Sequence, residues 1–347
     1  MLQWVSKLLA GVTIDVPAGV PAAWVARVEM LLRPLDADKT KTARPGLSRD
    51  VLSYVLQGEP ISVLSEFASN RTLAELVQDR NYGDRKASDE LYEGFEDLPG
   101  DVTLRWARFL DAIVTSLNRT HGFVFPGGIH WPEALLLHAT GRMQYYSSDA
   151  HVPRGLSALA FEKGLEAAGL PTSTFVTSSF ASPVSAGYYG RGILEFCSKI
   201  PGFGEAIHRH AEAVRPLLLA ATATQRLHVL DLLSAAAPAT LTVFIEELTE
   251  LGTSSSKQVR AAADPLLRKV ADAAVAPLKQ LAADAKPEQR VNALRWLWEA
   301  ARVRNDDALR AELRASVADD KAPSVQALLS EWDGASAPEL ELTTYRV

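Results

Sequence analysis

The chain has 347 residues, with 36 basic and 42 acidic side chains, a net charge of −6 and 47% apolar residues. These proportions exclude intrinsic disorder, and the single cysteine, Cys197, excludes a disulfide framework and suits a reducing compartment. No apolar run approaches the roughly 18 residues of a spanning helix, and the start lacks the pattern of a secretory leader, so the expected setting is the cytoplasm, with no membrane partner.

The apolar spacing is helical along most of the chain. Trp24, Val28, Leu31 and Leu35 form one stripe of an amphipathic helix. Thr72 and Glu75 have the spacing of a capping box ahead of Leu76 and Val77. Trp106, Leu110, Ile113 and Leu117 make a second stripe, with Asp101 placed to cap it. Leu156, Leu159 and Leu165 precede Gly169 and Pro171, the signature of a helix stop. Strand signals are few: Phe123–Phe125 and Ser173–Thr177 are short and read as loops or minor strands. The expected class is all-α.

Composition shifts near Pro201-Gly202: 31 of the 52 alanines lie beyond residue 200, which suits closely packed helices. Three regions follow. Residues 1–200 form an irregular helical N-terminal region of unassigned type, 201–333 a set of helical repeats, and 334–347 a polar tail or linker. Within the second region, Gln225–Leu230 resembles Gln289–Leu294, with Gln258–Ala263 between them and Pro323–Leu328 as a weaker fourth copy. Arg226, Arg260, Arg290 and Ser324 take equivalent places at a period of roughly 30–34 residues, within the range of helical repeats. Each copy starts a helix, helped by Ser254–Ser256, Pro287 and Pro323. Another helix precedes it at Ala239–Leu251, Pro277–Ala283 or Asp306–Val317. The unit is a helical hairpin.

The Arg, the small Ala three residues on and the paired Leu resemble HEAT repeats, and Lys257–Ala263 is the segment most similar to that family's second-helix signature. Residues 275–332 also resemble segments of large bacterial HEAT-containing proteins of the MolR-like kind, whose biochemistry is undefined. The resemblance implies an α-solenoid of stacked hairpins after residue 200, with a concave second-helix face used for binding. Pro265 departs from the pattern and is expected to kink or end its helix. Trp298 continues the stripe of Val291 and Leu294 and is expected in the core, as are Val325, Leu328 and Trp332 in the last copy. Trp296, two residues earlier, is expected to face a neighbouring hairpin or the surface.

His130, Glu133 and His138 are the most enzyme-like cluster, since two histidines and a glutamate can ligate zinc; His151 and Asp149 follow. Pro132 interrupts the helical register that would join His130 to Glu133, and it reads better as a first-turn proline. His208 and His210 flank Arg209 and point to different sides of a helix. Ser254 and Lys257 have Ser-x-x-Lys spacing without its companion motifs, so capping is the better reading. Cys197 lies in an apolar stretch and reads as a buried small hydrophobe. Gly187–Gly192 fits neither a dinucleotide fingerprint nor a phosphate loop.

Between Lys257 and Arg314 there are 12 basic and 8 acidic residues. Lys257, Arg260, Arg268, Lys269, Lys279, Arg290, Arg295, Arg302, Arg304 and Arg310 could line one face and track phosphates, or pair with the interleaved acids. The reading the sequence favours is a non-catalytic protein-interaction scaffold that binds a protein partner around Arg260, Arg290, Arg295 and Trp296, without a cofactor. Nucleic-acid binding by the basic stripe is the first alternative, and a metal-dependent hydrolase at His130, Glu133 and His138 the second.

Overall fold

The computed structural model describes residues 14–38, 42–78, 85–117, 125, 128–140, 151–181, 197–219 and 222–334. Among them the regular structure is helical, and the single bridge between Phe125 and Ile129 is the only strand-type pairing. Phe125 is the one described residue of the Phe123–Phe125 expectation. Packing of the backbone divides the chain into two units, Met1–Leu217 and Leu218–Val347, so Pro201-Gly202 lies inside the first.

The first unit runs α1 (Ala22–Asp36), α2 (Leu47–Gln57), α3 (Ser62–Ala68), α4 (Arg71–Gln78) and α5 (Arg85–Tyr92). A 3-10 turn at Phe95–Asp97 leads to α6 (Gly100–Ser116). Then come α7 (Trp131–Ala139), α8 (Ala158–Ala167), α9 (Thr174–Ala181), α10 (Phe203–Arg209) and α11 (Ala211–Leu218). Helix α6 is the centre: α2, α3, α4, α7 and α8 all pack on it. Its Val102, Trp106, Phe109, Leu110 and Val114 are fully buried. The Trp24 stripe of α1 is buried as its spacing requires, with Trp24 edge-on to Trp106 at 6.0 Å. Gly100 allows the close crossing of α6 and α8, because a Cβ there would sit 2.4 Å from the Lys163 carbonyl oxygen.

Three local expectations are corrected. Asp101 does not cap α6; Pro99 holds the N-cap position and Asp101 pairs with Arg105 one turn on, at 2.8 Å. Thr72 does not cap α4; the Asn70 Oδ1 accepts from the Thr72 and Leu73 amides instead. Ser173–Thr177 is not a strand, since Thr174–Ala181 is helix α9. Packing overrides its β-branched residues: Phe175 is buried and stacks on Phe161 at 4.2 Å, while the Thr177 and Ser179 hydroxyls donate to carbonyls four residues back.

The second unit contains α12 (Ala223–Leu233), α13 (Pro238–Val243), α14 (Ile245–Gly252), α15 (Lys257–Lys269), α16 (Ala271–Asp284), α17 (Pro287–Arg304), α18 (Asp307–Val317) and α19 (Pro323–Gly334). All four repeat copies fall in helices, namely α12, α15, α17 and α19. The expected helix 239–251 is split into α13 and α14 at the buried Phe244. Pro265 does not end α15, which runs on to Lys269. Pro265 and Ala261, the residue whose carbonyl loses its donor, are both exposed, so water can replace the missing bond. Each element packs on near neighbours in sequence: α14 on α15 and α16, α15 on α12, and α17 on α16, α18 and α19. Helix α17 is buried along two stripes, Val291–Leu294–Trp298–Ala301 and Ala293–Leu297–Ala300. Helix α19 is buried along one, Val325–Leu328–Trp332.

Candidate functional site

The repeat arginines occupy matched positions. Helix α15 starts at Lys257 and α17 at Pro287, so Arg260 and Arg290 are each the fourth residue of their helix. From there the side chain reaches back toward the end of the preceding helix. Arg260 Nη1 donates to the Ser254 and Ser255 carbonyls at 2.6 and 2.8 Å. Arg290 Nε donates to the Ala282 carbonyl at 2.6 Å, and its Nη2 pairs with Asp320 at 2.5 Å. Ala282 lies in the last turn of α16, where a helix leaves carbonyls without intrahelical donors, whereas Ser254 and Ser255 lie in the turn beyond α14. In the last copy α19 starts at Pro323, and its fourth residue is Gln326, whose amide donates to the Asp320 carbonyl. Ser324, the residue matched to the arginines by its apolar register, is only the second.

The turn at Thr253–Ser256 is held from the next hairpin as well. Asn292 Nδ2 donates to the Thr253 and Ser254 carbonyls at 3.1 and 3.3 Å, and Gln289 Nε2 to the Thr253 hydroxyl at 3.2 Å. Ser256 caps α15, and the buried Ser254 accepts from the Ser256 amide. Within Ser254–Ser256, the capping role expected there therefore falls to Ser256.

Trp296 lies half-buried on α17, and its Nε1 donates to Asp264 on α15 at 2.9 Å, so it faces a neighbouring hairpin as expected. Asp264 also accepts from Arg268 at 2.7 Å, and that bond raises the arginine's already high pKa further. Glu299, one turn beyond Trp296, binds Arg302, which holds its carboxyl below the usual range. Arg295 meets Glu331 of α19 at 3.2 Å, with both side chains more than half exposed. Val303, 61% exposed, ends the same side of α17. Trp298 is buried and stacks on Trp332 at 4.2 Å, with the Arg314 guanidinium 5.2 Å from its ring centre.

The basic stripe is compensated pair by pair. Seven of its ten cations face a carboxylate: Arg268, Lys279, Arg290, Arg295, Arg302, Arg304 and Arg310. Arg260 and Lys269 donate to carbonyls.

In the first unit, Pro132 takes the first-turn place in α7 predicted for it. His130 is the N-cap residue, Glu133 lies buried in the first turn, and His138 sits in the last turn. The His138 Nδ1 is 2.7 Å from the Tyr92 hydroxyl, and Trp106 meets its ring edge-on. Burial lowers the imidazole pKa to about 4, so it is neutral at pH 7. Among the described residues no group of three or more His, Cys, Asp and Glu side chains is arranged to hold a metal ion. The three residues share one helix without converging as a ligand set. His151 pairs with Asp89; Asp149 and Gly187–Gly192 lie outside the described residues.

Arg209 and His210 converge on one partner that the sequence reading missed. Glu162 of α8 accepts from Arg209 Nη2 through both carboxylate oxygens at 2.9 Å, and its Oε1 lies 3.0 Å from His210 Nε2. Nothing in the local pattern around Glu162 marks it, since its partners are 47 and 48 residues away. The trio ties α8 to the end of α10. Cys197 is buried beside Ser179, and burial pushes its thiol up to about 11, so it is not poised as a nucleophile. An open groove of about 360 Å³ lies between the start of α6 and the end of α8, lined by Asp97, Asp101, Glu166 and Lys163. The Lys163 ammonium is engaged there by the Glu96 carbonyl.

No helix among the described residues is long and apolar enough to cross a membrane. No family model, curated protein or solved structure matches the chain.

Proposed function

We propose that this chain is a non-catalytic protein-interaction module whose second unit is a HEAT-like solenoid. The observation that carries the reading is that the fourth residue of three helices, Arg260, Arg290 and Gln326, donates back to a carbonyl six to eight residues earlier, in the preceding turn for Arg260 and Gln326 and in the last turn of the preceding helix for Arg290. The main helix contacts of the second unit fall between elements no more than three apart along the chain, which supports it, because stacked hairpins bury their apolar faces against adjacent copies. Helical arrays of this kind present long surfaces, and their usual work is binding.

Of the four residues that the sequence singled out, Arg295 and Trp296 remain on the surface offered to the partner. Arg260 and Arg290 are engaged within the array. The outward side of α17 remains, where exposed Val303 and the part of the Trp296 ring not covered by its contact with Asp264 lie among Arg295, Glu299 and Arg302. An aromatic ring surrounded by ion pairs suits the centre of a protein contact. The test is affinity capture from native lysate, with and without nuclease, using the wild-type chain and a Trp296→Ala/Val303→Glu variant. A protein partner that survives nuclease and is lost with the variant, at unchanged helicity, supports the reading. A partner retained by the variant, or recovery of nucleic acid alone, contradicts it.

A further inference from the structure

We infer that the terminal helix pair α18–α19 is an exchangeable element, which a second copy of this chain can seat on α17 to form a reciprocal dimer. The inference is independent of the partner reading and rests on three features of the second unit.

Both terminal helices dock on α17 through single apolar stripes, Leu309–Leu313–Val317 and Val325–Leu328–Trp332, while their other faces are exposed. The docking is also polarised. Every ion pair that crosses to the terminal helices, among the described residues, has its acid on the terminal side: Glu312 with Lys279, Asp320 with Arg290 and Glu331 with Arg295. Residues 307–334 hold six acids and three bases, so the terminal pair carries net negative charge. The acidic element therefore matches one surface, and that surface is present on its own chain and on any second copy.

The hinge is the third feature. Only Asn305 and Asp306 separate α17 from α18. Asn305 has φ 55° and ψ 37°, and it is the sole non-glycine residue with positive φ among the described residues. Left-handed backbone is disfavoured for side-chain-bearing residues, asparagine being among the most tolerant. If Asn305 turns to right-handed helix, α17 and α18 join and the terminal pair swings away from its own α17. Exchange then reproduces each docking contact and removes the left-handed residue, and short hinges under such constraint favour domain swapping. The closed hinge is held by the Asp306 amide on the Ala301 carbonyl at 2.8 Å and by the Asp306 carboxylate capping α18 at 2.9 Å.

The experiment uses the full-length chain in light and heavy isotope forms, mixed at high concentration and incubated. The dimer fraction is isolated and treated with a carbodiimide, which joins Lys279 to Glu312 where their charged groups lie 2.6 Å apart. Mass spectrometry reads the linked peptides. Exchange predicts that half of the Lys279–Glu312 links in the dimer are heavy–light. It also predicts a dimer population raised roughly fivefold or more by Asn305→Ala and lowered by Asn305→Gly, because alanine disfavours and glycine favours the closed hinge. Links confined to one isotope form would overturn the inference, as would a dimer population indifferent to residue 305 or no dimer in any of the three chains. The wild-type and glycine chains decide the matter alone if the alanine variant fails to fold.

Discussion

Arg290 shows why a charged residue can recur in a repeat without touching a ligand. Its guanidinium satisfies the Ala282 carbonyl and neutralises Asp320, whose side chain is only 12% exposed. Removing it leaves a largely buried carboxylate and a helix-end carbonyl without their donor, so Arg290→Ala should destabilise the second unit by about 1–3 kcal/mol in urea unfolding. Arg295→Ala removes a solvent-exposed pair and should cost less than about 1 kcal/mol. Equal losses would show that the difference in burial does not govern these contacts. His138 gives a pH prediction. Its folded pKa of about 4 lies below the ordinary 6.5, so the folded state binds fewer protons. The stability it confers is complete above pH 6.5 and falls as pH drops toward 4, by about 3 kcal/mol. His138→Gln should flatten that part of the stability–pH curve, and an unchanged slope would show that the imidazole is not its source. Cys197, with its thiol pKa at about 11, should react with iodoacetamide at pH 8 at least about a hundredfold more slowly in the folded protein than after unfolding.

At the scale of the element, what was legible followed from apolar periodicity. The Trp24 and Trp106 stripes and the Val291–Leu294–Trp298 register are buried where a 3.6-residue period puts them. The Trp296–Asp264 contact follows from the same geometry, since Trp296 points away from the core stripe. The role of the repeat arginine was not legible, because the sequence shows where it recurs but not that a helix end lies within its reach. The fourth copy shows the difference: the apolar register selects Ser324, whereas helix α19 begins two residues late and gives the role to Gln326. Ser173–Thr177 was misread because local propensity is weak against the packing of Phe175 on Phe161. Glu162 was invisible because Arg209 and His210 reach it across a long sequence separation. Backbone approach between distant segments is equally hidden. Gly155 lies against the end of α5, where a Cβ would fall 1.7 Å from the Tyr92 carbonyl oxygen. Neither backbone can yield as a flexible side chain would, so Gly155→Ala should destabilise the first unit by about 3 kcal/mol or more. A melting temperature within a degree or so of wild type would refute that close approach.

For the molecule as a whole, the described residues form an all-helical chain whose second unit is fastened at its turns by side chains from its own and the next hairpin. Arg260 holds Ser254 and Ser255 from within one hairpin, while Asn292 reaches the same turn from the next. Arg290 joins Ala282 to Asp320 in the same manner. We propose that these groups act as clasps that fasten the turns of the second unit, and that binding falls to the outward side of α17. Hydrogen exchange on Arg290→Ala in the full chain tests it most directly. The account predicts faster exchange at two places distant in sequence, the 283–287 turn and the 318–322 turn, with protection in the first unit unchanged. Wild-type protection at both turns would contradict the account and return Arg290 to the surface as a candidate ligand contact.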